Sequence, residues 1–73
     1  MNRDLLKDHL AQAERRIAEG RDHVERQRQI VEDAVRRGED AHRSMALLEL
    51  FEETLATHVE ERDRLRNELA VSN

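Results

Sequence analysis

The chain contains no cysteine, proline, tryptophan or tyrosine, a single phenylalanine (Phe51), and only two glycines, Gly20 and Gly38. Without cysteine there is neither a disulfide framework nor a thiolate zinc site. Without proline, and with so little glycine, almost nothing interrupts a helix. One aromatic ring leaves no platform for stacking nucleic-acid bases. Long apolar runs are missing as well. The greasiest stretch, Met45 to Phe51, is broken by Glu49 and is far shorter than the roughly 20 residues a membrane-spanning helix requires. The first residues carry Arg3, Asp4, Lys7 and Asp8 without an apolar segment, so no secretory leader is expected, and the chain reads as soluble and cytoplasmic. There is no glycine-rich phosphate loop and no thiol nucleophile, and Ser44 and Ser72 are the only serines. No enzymatic activity, catalytic residue or cofactor is expected.

What remains is charge and regular spacing. Charged residues make up 41% and apolar residues 37%, a mixture typical of long solvent-exposed helices. Ala, Leu, Glu, Arg and Gln dominate, all good helix formers. In the first half, apolar or small residues alternate by four and three: Leu6, Leu10, Ala13, Ile17, Gly20, Val24, Gln27, Val31, Ala34. That is a heptad repeat. The second half repeats it at Ala41, Leu48, Leu55, Arg62 and Leu69, interleaved with Ser44, Phe51, His58 and Leu65. Asn2 suits an N-cap, Gly38 a left-handed helix end, and Asp40 a second cap. The spacing predicts a helix over about 3–37, a turn at 38–39, and a helix over about 40–70. So short a connection makes the helices antiparallel. The fold class is all-α: a single-domain antiparallel two-helix hairpin with coiled-coil-like packing.

Folding about Gly38 sets Glu14 near Arg66, Arg28 near Glu52, Arg16 near Glu61 and His9 near Glu68, always opposite charges. Pairs at i,i+4 (Asp22–Arg26, Glu32–Arg36, Glu39–Arg43, Glu60–Arg64) are expected to support each helix by tenths of a kcal/mol. Gly20 on the seam implies close approach of the other helix near His58 or Phe51, since glycine inside a helix costs about 1 kcal/mol against alanine. Gln27, His58 and Arg62 are polar at seam positions, where such residues set register and oligomeric state while sacrificing stability.

Two helices bury one seam, and a chain this size has little core of its own. Ile30, Leu47, Leu50, Phe51 and Val59 exceed what the seam needs. They are the candidate interaction residues, and the expected partner is a second copy, giving a four-helix bundle. Another helical protein, seated in a helix-in-groove mode, is the alternative occupant. A bundle binding a metal or small ligand through His58, His23 and nearby glutamates is a rival reading. Glu39-x-x-His42 has the spacing seen in di-iron bundles but sits beside the turn. A third reading, nucleic-acid association, draws on the arginines of the first half. The net charge of −4 and the interleaved acids argue against it.

The stretch from His9 to Gly20 (HLAQAERRIAEG), with Arg26-Gln27-Arg28-Gln29-Ile30-Val31, Leu47-Leu48-Glu49-Leu50-Phe51-Glu52 and His58-x-x-x-Arg62-Asp63-Arg64-Leu65, resembles small helical proteins of alphaproteobacteria of similar length. The resemblance implies a bacterial, soluble, helical protein. It brings no activity and no site.

Overall fold

A computed structural model describes residues 2–72. Its two helices, α1 (Arg3–Arg36) and α2 (His42–Val71), pack side by side, with no strand among the described residues. At the start of α1, Asn2 is extended and its Oδ1 accepts the Leu5 amide at 2.8 Å, satisfying one of the amides a helix start leaves free. At its end Gly38 has φ 70°, the left-handed region. The Gly38 amide donates to the Val35 carbonyl at 3.1 Å and the Glu39 amide to that of Ala34 at 2.9 Å. Both bonds belong to a Schellman ending, which closes the last carbonyls of α1 and reverses the chain.

α2 starts at His42, later than the position near residue 40 that the sequence suggests. The Schellman turn occupies Glu39, so Asp40 acts before the helix rather than as its cap. Its Oδ1 accepts the His42 amide at 2.9 Å, and Ala41 takes the cap position without a side-chain bond.

The helices run antiparallel in a rod of 57 × 14 × 13 Å. Arg3 Nη1 donates to the Ser72 carbonyl at 2.9 Å and joins the open end. Further along, Gly20 is level with Leu55, and His23 with Phe51. Every residue of the expected seam on both helices is buried or half-buried. The buried apolar residues are Leu6, Ala13, Ile17, Val24 and Leu65. Leu6, Ala13 and Leu65 form one cluster, with Leu10 and Leu69 packed on it. This core lies toward the open end. From Gln27 to the turn no apolar side chain is fully buried. No described helix is long and apolar enough to cross a membrane.

The surface charges depart from expectation. None of the four i,i+4 pairs named above forms among the described residues. Arg28 pairs with Glu25 at 3.1 Å, Arg36 with Asp33, and Arg64 with both Glu61 and Glu68. Three of these four contacts span i,i+3: the arginines reach back to the acid one turn earlier. No ion pair crosses between the helices among the described residues, so opposite charges there act at longer range.

The two glycines differ, and substitution should separate them. A Cβ at Gly20 would meet the Leu55 Cδ1 at 3.2 Å, a flexible side-chain end, with the Leu55 Cα at 3.9 Å. The close neighbour is thus Leu55, where the sequence pointed to His58 or Phe51. Gly20→Ala should stabilise, by up to about 1 kcal/mol, because helix propensity outweighs a small shift of Leu55. Gly20→Leu should destabilise by forcing the helices apart. Gly38→Ala has open space but a left-handed backbone, and should cost about 1 kcal/mol. Urea titration followed by circular dichroism reads all three.

Candidate functional site

The heptad places the surplus apolar residues on the flanks of the seam, and the structure divides them. Ile30 (53% exposed), Leu47 (40%) and Leu50 (54%) are open to solvent. Phe51 is half-buried, its ring 5.7 Å from that of His23 and inclined by 38°. Ile30 and Phe51 line one groove together with His23, Arg26 and Gln27. Val59, expected in the same patch, lies elsewhere. It lines a groove of about 520 Å³ with Val24, Leu55 and Ala56, on the opposite flank. Nine helical residues separate it from Leu50, which is about half a revolution at roughly 100° per residue. The five candidates are therefore four residues on one flank and one on the other.

The polar seam residues all lie on the contact between α1 and α2. Gln27 is 6% exposed, and its Nε2 donates to the Ser44 carbonyl at 2.9 Å, tying α1 to the first turn of α2. No buried side-chain polar atom lacks a partner among the described residues. Arg62 is half-buried. Its Nε donates to Asp63 at 3.0 Å, and it shares a groove with Ile17, Ala18, Arg21, Glu14 and Arg66. Its side chain is 19% exposed, so most of it is shielded from water. The gathering of Arg21, Arg62 and Arg66 around Glu14 was not anticipated. In the sequence Arg66 reads as a simple partner for Glu14, and the heptad does not bring Arg21 and Arg62 to mind as neighbours.

His58 is half-buried and shares a groove with His23, Gly20, Phe51 and Thr54. Glu19 supplies the one carboxylate lining that groove. No three His, Cys, Asp or Glu side chains converge to hold a metal ion among the described residues. His42, at the turn, is 3.4 Å from Asp40, and both are almost fully exposed.

On the same flank Glu61 is the electrostatic centre. Hydrogen bonds from Arg64 hold its carboxyl below the ordinary value, slight desolvation opposes them, and the charges of Arg64, His9 and Arg16 add to the lowering. His9 and Arg16 belong to α1; Arg16 acts on Glu61 as read in the sequence, while His9, read there as a neighbour of Glu68, acts on Glu61.

No family model matches the chain, and neither a curated protein nor a solved structure does.

Two outcomes are expected here. Gln27→Met keeps the length of the side chain but removes its register-setting bond. The melting temperature should rise, while more than one associated species appears in sedimentation velocity. A lower melting temperature with unchanged association would contradict a register role. For Glu61, the folded form has the lower pKa, so its contribution is present above the ordinary value of 4.5 and is lost as pH falls below it. Helicity at 222 nm should therefore fall on acidification, and Glu61→Gln should flatten that acid limb.

Proposed function

We propose that this chain is a non-enzymatic interaction protein that works through its helix faces and associates with itself into a four-helix bundle. One observation carries the reading. Seven large apolar side chains are exposed (Leu5, Ile30, Val35, Met45, Leu47, Leu50, Val71), more than the buried set of Leu6, Ala13, Ile17, Val24 and Leu65. Most of the exposed set lies in the turn half, where the hairpin has no core of its own. Small scaffolds offset a thin core with disulfides, a metal or association, and this chain has no cysteine. Burial of Ile30, Leu47 and Leu50 by a partner would supply the missing apolar contact.

Coiled-coil-like packing within the bundle follows from the heptad seam, and a cytoplasmic location from the composition. The resemblance to small alphaproteobacterial proteins agrees with such a role and adds no residue to it. A metal or nucleic-acid role gains nothing from the arrangement, since the histidine groove offers one carboxylate and the arginines stand among acids.

The test is sedimentation equilibrium at micromolar concentration, detected by peptide absorbance because Trp and Tyr are absent. A dimer is expected. Leu47→Glu combined with Leu50→Glu should return it to monomer. These two positions are chosen because Phe51 also packs inside the hairpin, so replacing it would confuse folding with association. A wild-type monomer, or a double variant that stays dimeric, would contradict the reading.

A further inference from the structure

The exposed apolar residues and the charges beside them are not placed at random along the rod, and their order specifies how a second copy would sit. Two rows flank the seam on the Ile30–Leu47 side. On α1 they are His9, Arg16, His23 and Ile30, with Leu5 and Asp33 one step further out. On α2 they are Leu47, Thr54, Glu61 and Glu68, with Arg43 and Val71 further out. That these rows share one flank is visible in the groove of Arg16, His23 and Thr54, in the groove of His23 and Ile30, and in the action of His9 and Arg16 on Glu61.

We infer that a second copy of this chain docks on this flank with both turns at the same end, related by a twofold axis along the rod. The inference rests on the self-association proposed above and adds its face and orientation. Such an axis lays each α1 beside the partner's α2, running antiparallel. Levels within the hairpin are set by Gly20 against Leu55, His23 against Phe51 and Arg3 against Ser72. The axis carries those levels across the interface. Ile30 then meets the partner's Leu47, and at the open end Leu5 meets the partner's Val71. Between them Arg16 meets the partner's Glu61, and His9 the partner's Glu68. Beside the turn Asp33 meets the partner's Arg43. Ile30 and Leu5 thus meet apolar residues, Arg16 and Asp33 meet opposite charges, and Leu50 falls beside the partner's Arg26, whose aliphatic stem can cover it.

The competing arrangements lack this match. With turns at opposite ends, α1 faces the partner's α1, so Ile30 falls against the partner's His9 and Leu47 against the partner's Glu68. Docking through the opposite flank with the turns aligned sets Lys7 against the partner's Arg66 and Glu25 against the partner's Glu49, with Arg21 against the partner's Glu52 as the favourable contact. Like charges across an interface select against such pairing. The groove of Arg21, Arg62 and Arg66 around Glu14 sits on that second flank.

The absence of cysteine makes the test direct. Asp4 and Glu39 are exposed, near the open end and in the turn respectively, and neither belongs to the interface. Each is replaced singly by cysteine (D4C, E39C), spin-labelled, and measured by double electron–electron resonance in the full chain. Both variants should give intermolecular distances of roughly 20–30 Å, set by bundle width rather than length. Distances near the 57 Å length of the rod at both sites, in a protein that sediments as a dimer, would overturn the orientation and leave the self-association intact. A short distance at the turn with none at the open end would also overturn it, in favour of a staggered dimer. A monomer without intermolecular coupling would overturn both.

Discussion

Two helices can touch along only one line. Everything else about this protein follows from that constraint. A seam between two rods buries a single stripe on each, and here the stripe is closed tightly only toward the open end, around Leu6, Ala13, Ile17 and Leu65. Side chains beside the stripe must stay wet unless something outside the hairpin covers them. Hydrophobic burial is the main favourable term in folding, and it opposes the ordering entropy of every residue fixed in a helix. A hairpin that leaves seven large apolar side chains exposed, most of them in the turn half, is short of that term. The self-association proposed above would supply further burial from outside the hairpin.

The polar residues on the seam have a consistent logic within this constraint. Gln27 sits where the apolar core ends, and its bond to the Ser44 carbonyl fixes α1 against the start of α2. A sliding seam would otherwise find several registers of similar energy, because the heptad repeats itself. Arg62 and His58 interrupt the apolar stripe further along and leave the tight packing to Ile17 and Leu65. We propose that these residues exchange stability for one defined arrangement. Gly20 leaves room for Leu55 to approach closely.

Much of this was legible in the sequence, for definite reasons. The heptad places side chains by angle alone, so it named the seam on both helices, and Asn2 and Gly38 marked the ends of α1 by chemistry specific to those ends. What escaped were features that depend on three-dimensional choice among near neighbours. Arg64 had acids available at Glu60, Glu61 and Glu68, and took the latter two. Asp40 resembled a cap, but the Schellman turn before it displaced the helix start to His42. Val59 looked like a member of the Leu50 patch because it is apolar and close in sequence, whereas half a revolution of α2 separates them. The gathering of Arg21, Arg62 and Arg66 needed both helices in place before it could be seen.

If association supplies the burial the hairpin lacks, folding and association are one equilibrium, and stability must depend on concentration. The direct measurement is thermal unfolding followed at 222 nm across a hundredfold range of protein concentration. The melting temperature should rise steadily with concentration. A melting temperature that stays constant over that range would mean the hairpin stands alone, and would contradict the proposed self-association.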